Sequence, residues 1–264
     1  MDLAAEKGAS NWLTCRPLKQ HGFSLHKGAF RDAVCLRYGW TPPHLPQSCA
    51  CGAAFTVPHA LSCPVGGYPS LRHNELRDLT ATMLTSAAHD VSIEPRLQPL
   101  SGENFHHRTA IREDGARLDV AASGVWGGRF ERAFFDIRVF NPHARSNSVH
   151  SIPAAYAKHE REKRRHYEER VREVEHATFV PLVFSATGGQ GKAATALYKR
   201  LGLIISDKKN EPYSITMAWI RCRLGFALLR SAIMALRGHR SRSRVAVAQP
   251  SSTELVAAEC NLHF

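Results

Sequence analysis

Long runs of apolar residues are absent from this sequence of 264 residues. The most apolar stretch, residues 217–236, is interrupted by Arg221, Arg223 and Arg230, which are too many charges for a helix that crosses a bilayer. The first residues, MDLAAEKGASNWL, also lack the basic and then apolar pattern of a signal peptide. We therefore expect an intracellular protein with no membrane partner.

Acidic residues are scarce compared with basic ones: 23 Asp and Glu stand against 35 Lys and Arg, for a net charge of +12. Such an excess concentrates polyanions at a protein surface, so nucleic acid or an anionic membrane surface heads the list of partners. Charge alone does not choose between DNA, RNA and a membrane surface, and nothing in the composition predicts a small-molecule cofactor. A DNA partner in turn predicts a nuclear location.

The seven cysteines are an odd number in a chain without a secretion signal, which argues against a disulfide framework and for free thiols or metal ligands. Cys49, Cys51, His59 and Cys63 fall within fifteen residues, and thiolates with an imidazole suit tetrahedral zinc. Only one residue separates the first two cysteines, fewer than usual, so one of them could be a bystander. The alternative is a set of ordinary buried cysteines beside a surface histidine.

Composition divides the chain into five regions. We predict an N-terminal helical segment over residues 1–47, a zinc-knuckle segment over 48–69, an α/β domain over 70–205, C-terminal helices over 206–240 and a disordered tail over 241–264. The α/β domain is expected to run in the order helix, three strands, helix, strand, helix, because helical and alternating apolar patterns follow one another in that order.

Two aspartates interrupt apolar strand patterns, Asp119 in RLDVA and Asp136 in FFDIRV, and both are predicted to lie mid-strand. An ionised aspartate is costly in a strand core unless it is paired or binds a cation. Two such residues on adjacent strands could share Mg²⁺, which lowers the pKa of a bound water and stabilises charge on a phosphate. Alternatively, each aspartate caps a turn or pairs with Arg117 or Arg138.

A long charged helix is predicted over residues 154–176. Lys163 and Tyr167 are four residues apart and therefore share a face with His159 and Arg170. A lysine on that face could polarise a scissile phosphate or orient the attacking water. The remaining charges are typical of a solvated helix with Glu–Arg pairs.

These residues together resemble one nuclease family. The ordered set resembles the restriction-like endonuclease in the C-terminal region of site-specific non-LTR retrotransposon proteins, over about residues 45–185. The matching residues, in chain order, are Cys49, Cys51, His59, Cys63, Arg72, His73, Asn74, Asp119, Asp136, Lys163 and Tyr167. The resemblance implies a PD-(D/E)XK-type, restriction-endonuclease-like α/β core of order α-β-β-β-α-β, with a zinc knuckle ahead of it and flanking helices.

What the resemblance implies is Mg²⁺-dependent hydrolysis of one DNA strand, whose free 3′-OH primes reverse transcription. Asp119 and Asp136 would hold Mg²⁺, Lys163 would be the catalytic lysine with Tyr167 as its companion, and Glu75 would add a carboxylate. Arg72, His73, Asn74 and Arg138 would contact DNA or support the site. Cys49, Cys51, His59 and Cys63 would hold a structural Zn²⁺.

Several positions depart from the family pattern. Leu118 stands where the motif has proline, Arg138 stands where the general motif has lysine, and no Tyr-x-Asp-Asp polymerase signature occurs. The alternative reading is therefore a catalytically inactive, nucleic-acid-binding remnant of a retroelement protein. A second alternative is an open reading frame whose product does not fold stably.

Overall fold

The computed structural model describes residues 6–241. The tail predicted over residues 241–264 lies outside the described residues except for Ser241. The elements are α1 (Lys27–Tyr38), α2 (Val57–Ala60), α3 (Tyr68–Ala87), β1 (His89–Ile93), β2 (Val120–Ser123), β3 (Arg132–Phe140), α4 (Arg145–Ser148), α5 (Ile152–Glu173), β4 (Thr178–Ser185), α6 (Lys192–Lys209) and α7 (Tyr213–Arg237).

A four-stranded mixed sheet in the order β1-β2-β3-β4 forms the centre of the fold. β1, β2 and β3 are antiparallel neighbours, whereas β4 runs parallel to β3. A parallel pair needs a long crossover connection, and α5 with its flanking loops supplies it. The order α3, three strands, α5, β4, α6 confirms the α/β class and the predicted sequence of elements.

Helices cover both faces of the sheet. On one face Phe135 and Ile137 of β3 pack in the main core with buried residues of α3, α6 and α7. On the other face Phe134 packs against Val171 of α5. Because successive side chains of a strand alternate between faces, Asp136 projects with Phe134 toward α5, as does Arg138.

The helix boundaries correct the predicted ones. α3 begins at Tyr68, inside the range assigned to the zinc knuckle, and α6 continues to Lys209, past the boundary predicted at residue 205. The long helix predicted over 154–176 runs instead over Ile152–Glu173, with the Ser151 hydroxyl accepting from the Ala154 N–H at its start.

The region predicted as C-terminal helices contains the last residues of α6 and one further helix, α7. Ile220, Leu224 and Leu228 are buried at helical spacing and pack in the main core, so this helix belongs to the same hydrophobic core as α3 and α6. Within residues 6–241, no helix combines the length and the apolar character that crossing a membrane would require.

Candidate zinc and carboxylate sites

The four predicted zinc ligands lie together. All four ligand atoms, one from each of Cys49, Cys51, His59 and Cys63, are within 4.8 Å of one another. Cys49 Sγ and Cys63 Sγ are 3.8 Å apart, and Cys51 Sγ is 3.4 Å from His59 Nε2. Tetrahedral zinc, with bonds of about 2.3 Å to sulfur and about 2.0 Å to nitrogen, separates its ligand atoms by roughly 3.5–3.8 Å. These four residues could therefore bind a metal such as zinc.

A tight turn allows Cys49 and Cys51, which only one residue separates, to direct their sulfur atoms to the same cluster. The Cys49 N–H donates to the Ala53 carbonyl, and the Gly52 N–H donates to the Cys49 carbonyl. Gly52 has a φ of +94°, a conformation that favours glycine. Both cysteines consequently face the cluster, so both could be ligands.

The other two ligands are set by the short helix α2. The Thr56 hydroxyl caps it by accepting from the His59 N–H at 3.2 Å, and the Cys63 N–H donates to the His59 carbonyl. A backbone hydrogen bond from Ala53 lowers the pKa of the exposed Cys51 thiol, whereas burial raises the pKa of Cys63. Cys51 is thus the ligand that more readily supplies the thiolate zinc needs.

Contacts with α3 and α7 hold the zinc-knuckle segment against the α/β unit. Arg240, just after α7, donates to the Val65 carbonyl at 2.6 Å and to the Ala60 carbonyl at 3.1 Å. Its guanidinium also lies 4.6 Å from the ring centre of Tyr68. Leu61 is buried with Tyr68 in a small hydrophobic cluster. The segment is therefore packed on the α/β unit.

The second site contains the two predicted carboxylates. Val120 of β2 pairs with Phe135 of β3, and continuing this register by one residue sets Asp119 opposite Asp136. The Ile137 N–H donates to Asp119 Oδ2 at 2.5 Å. Asp136 lies mid-strand, as predicted. For Asp119 the prediction was wrong, because this residue immediately precedes β2. Its side chain, rather than its backbone, accepts the hydrogen bond from the Ile137 N–H of β3.

Lys163 of α5 lies against Asp136. The distance from Lys163 Nζ to Asp136 Oδ2 is 2.6 Å, with the aspartate side chain 6% exposed and the lysine side chain 21% exposed. Burial, and to a smaller extent the negative charge of Asp119, raise the pKa of Asp136 to about 6. The positive charge of Lys163 opposes this shift. A carboxyl group that is so strongly desolvated favours a cation at this position.

Tyr167 lies one turn further along the same face of α5. Lys163 Nζ is 5.5 Å from the centre of the Tyr167 ring, and the ring packs on Phe179 of β4 with centroids 5.7 Å apart. Burial, and then the charges of Asp136 and Asp119, raise the pKa of Tyr167 to about 12. The phenol therefore stays neutral at physiological pH and can only steer the lysine or donate a hydrogen bond.

His73 of α3 reaches the site from the opposite side. Its Nε2 is 3.1 Å from Asp119 Oδ2, and its Nδ1 is 3.4 Å from the side-chain oxygen of Asn74. The hydrogen bond with Asp119 raises the pKa of His73 against the opposing effect of burial. His73 and Lys163 thus each contact one of the two aspartates.

Glu75 is not brought to this site, contrary to the prediction. Burial raises the pKa of Glu75, and the nearby positive charges of Arg223 and Arg230 on α7 lower it. Residues 73 and 75 of a helix point in directions about 200° apart, so when His73 faces Asp119 the Glu75 side chain faces α7.

Neither Arg72 nor Arg138 has a free guanidinium directed at the two aspartates. Arg72 is buried in α3, and burial lowers its pKa to about 10. Arg138 is two residues beyond Asp136, but its guanidinium donates to Glu162 of α5 at 2.9 Å. Arg138 therefore ties β3 to α5 and supports the site from one side.

Arg170 acquires a role that sequence reasoning missed. It is fully buried, and its guanidinium donates to the backbone carbonyls of Gln98 and Glu113, both at 2.8 Å. The neighbouring Glu169 accepts from the backbone N–H groups of His106 and His107. Helix α5 thus anchors the long connection between β1 and β2. The spacing predicted that Arg170 shares a helix face with Lys163. It could not predict the partners of Arg170, because these are backbone carbonyls, which every residue has.

Comparison with known proteins adds no relative to this description. No protein-family model matches the chain, and no curated protein matches it. The geometry of the two sites is therefore the basis for any functional statement.

Proposed function

We propose that this chain is a Mg²⁺-dependent endonuclease that nicks DNA, with a PD-(D/E)XK-type core resembling the restriction-like endonuclease of non-LTR retrotransposon proteins. The observation that supports this is that Asp136 of β3 lies between Lys163 of α5 and Asp119, which directly precedes β2. Metal-dependent phosphodiester hydrolysis uses carboxylates to hold the ion and a positive charge to stabilise the phosphate. A structural zinc at Cys49, Cys51, His59 and Cys63 belongs to the same proposal.

Two carboxylates suit an ion whose remaining coordination positions are filled by the substrate and by water. Mg²⁺ is commonly bound through one or two carboxylates, with phosphate oxygens and waters filling the octahedron. The two contacts to Asp119 described above both use Oδ2, so Oδ1 could bind the ion. When bound, the ion supplies an activated water and charge stabilisation at the phosphate.

Lys163 would act on the phosphate after leaving Asp136. In the present arrangement its ammonium is held by the carboxylate, and the lysine side chain is 21% exposed, so it could reach a phosphate bound beside Asp136. The ring of Tyr167 lies beside the ammonium and restricts its path, since cations favour aromatic faces. His73, opposite, would hold Asp119 in position or contact the DNA backbone.

The charge of the chain supports nucleic acid as the partner. A net charge of +12 favours phosphate contacts of any sequence, whose affinity falls steeply with salt. DNA is the partner that fits the proposed nicking reaction, and RNA is the second candidate. If the target is chromosomal DNA, the protein acts in the nucleus.

One observation favours a second function, nucleic-acid binding without catalysis. Each aspartate already has an internal side-chain partner, Lys163 for Asp136 and His73 for Asp119. A remnant that had lost its ion could keep its fold because both carboxylates stay paired inside the protein.

A nicking assay on supercoiled plasmid separates the two functions. With Mg²⁺, Lys163→Ala should slow nicking by about 10²–10³-fold, as when one preorganised charge donor is lost, and Asp136→Ala should abolish it. Arg165→Ala, which removes an exposed charge from the same helix, is the matched control and should nick at close to the wild-type rate.

DNA affinity, measured across a salt series in the same preparations, should stay close to wild type in both site variants. Folded wild-type protein that binds DNA but nicks none with Mg²⁺ or Mn²⁺ would replace the nuclease with the binding remnant.

A further inference from the structure

Asn141, just after β3, bonds to the zinc-knuckle segment. Its side-chain amide donates to the Pro58 carbonyl at 2.9 Å and to the Ser62 hydroxyl at 2.7 Å. Pro58 directly precedes the ligand His59, and Ser62 directly precedes the ligand Cys63. The position of this amide is therefore fixed by the part of the segment that a metal would hold.

Two further buried polar side chains continue from Asn141 toward α5. The amide of Asn147, in α4, donates to the Asn141 carbonyl at 2.9 Å. The Asn147 side-chain oxygen lies 3.1 Å from His159 Nε2 on α5. Asn141, Asn147 and His159 are all buried, and buried polar groups hold one geometry because losing a partner is costly.

The contacts end beside the carboxylate site. His159 Nδ1 is 3.3 Å from Glu162 Oε2, and Arg138 donates to the same oxygen at 2.9 Å. Glu162 directly precedes Lys163 in α5, and Arg138 is two residues from Asp136 in β3. We call Asn141, Asn147, His159, Glu162 and Arg138 the Asn–His chain.

We propose that metal occupancy of the Cys/His cluster sets the position of Lys163 against Asp136 through the Asn–His chain, with Asn147 and His159 as positioning residues. The consequence for catalysis rests on the nuclease function proposed above, but the structural coupling does not.

The physical basis is that the segment carrying the ligands has little regular secondary structure, although Arg240 and Tyr68 hold one side of it. Residues 58–63 contain only the end of the four-residue helix α2, and metal binding is what stabilises such a segment. Without the metal, Pro58 and Ser62 release the Asn141 amide. The Asn141 backbone carbonyl that holds Asn147 is then fixed less firmly, and through Asn147 so is His159. The Arg138–Glu162 pair between β3 and α5 loses part of its support.

Amide hydrogen exchange on the full chain, with zinc bound and after chelation, tests the coupling without needing nuclease activity. In the wild type, chelation should raise exchange in residues 145–164 by roughly tenfold, within the usual range for coupled sites, and leave α6 unchanged. In Asn147→Ala the zinc content should stay near that of the wild type while the effect of chelation on α5 disappears. Asn104→Ala, which removes the same side chain from an exposed loop position, should behave as wild type.

His159 provides the second pair of variants in case Asn147→Ala does not fold. His159→Gln retains an N–H donor for Asn147 and should keep most of the zinc effect on α5, whereas His159→Phe should lose it. A chelation effect on α5 that persists undiminished in Asn147→Ala or His159→Phe would overturn the proposal. So would a wild-type α5 that exchanges at the same rate with and without zinc.

A nicking assay distinguishes a failure of the structural coupling from a failure of the proposed nuclease function. If the chain nicks DNA, chelating zinc should reduce the Mg²⁺-dependent rate in the wild type and leave the already reduced rate of Asn147→Ala unchanged. If exchange shows the coupling and no DNA is nicked, the coupling stands and the nuclease function fails.

Discussion

Lys163 Nζ lies 2.6 Å from Asp136 Oδ2, bridging helix α5 and strand β3. This ion pair does not offset the burial of the aspartate, because burial raises the pKa of Asp136 to about 6 in spite of Lys163. The folded protein therefore binds this proton more tightly than the unfolded chain, in which the pKa is about 3.9. Asp136 favours folding at acidic pH, and that contribution is lost as the pH rises from 4 to 6.

Asp136→Asn should accordingly stabilise the protein at neutral pH. We expect its free energy of unfolding at pH 7 to exceed that of the wild type by on the order of 1–3 kcal/mol, with the loss of the Lys163 pair reducing the gain. The difference should shrink toward pH 4. Urea denaturation across this pH range measures it, with the exposed Asp114→Asn as the control. A variant less stable than wild type at pH 7 would contradict this reading of the site.

The pair of His73 and Asp119 predicts a histidine with a raised pKa. Its contribution to stability should be complete below the unfolded-state pKa of about 6.5 and be lost as the pH rises through the folded-state value. An NMR titration of the His73 ring should give a pKa above 6.5 that returns toward 6.5 in Asp119→Asn. Adding Mg²⁺ should also lower it, since the ion and the imidazolium compete for one carboxylate; no response to Mg²⁺ would place the ion elsewhere.

The zinc site predicts about one zinc per chain in freshly purified, reduced protein. Cys51→Ser should lower the zinc content sharply, because a neutral hydroxyl replaces a thiolate ligand. Cys15→Ser, which changes a cysteine outside the cluster, should leave the zinc content unchanged. Limited proteolysis after chelation should cut first within residues 48–69. Metal analysis that finds no zinc in the wild type would disprove the assignment.

The order of elements could be predicted from the sequence because local patterns determine it. The alternation of apolar residues around Asp136 predicts β3, and the 3.6-residue spacing in the charged segment predicts α5. The four cysteine and histidine ligands could also be predicted, since they are close in sequence and short loops bring them together.

Contacts between distant elements were less predictable. Glu75 was assigned to the carboxylate site, but its helix turns it toward Arg223 and Arg230, and this orientation depends on how α3 packs against α7. Asp119 was expected within a strand, yet it bonds the Ile137 N–H instead. The backbone partners of Asn141 and Arg170 carry no side-chain pattern, so only the folded chain reveals them.

In the proposed nuclease, Asp119 and Asp136 share a divalent ion beside Lys163. A crystal structure of the full chain with a DNA oligonucleotide and Mn²⁺ tests it most directly, because Mn²⁺ is identified by its anomalous scattering. We expect one ion bonded to an oxygen of each aspartate at about 2.1 Å, as for Mg²⁺, with Lys163 Nζ moved from Asp136 to a phosphate oxygen. DNA bound with no ion between the aspartates, and Lys163 still on Asp136, would contradict the account.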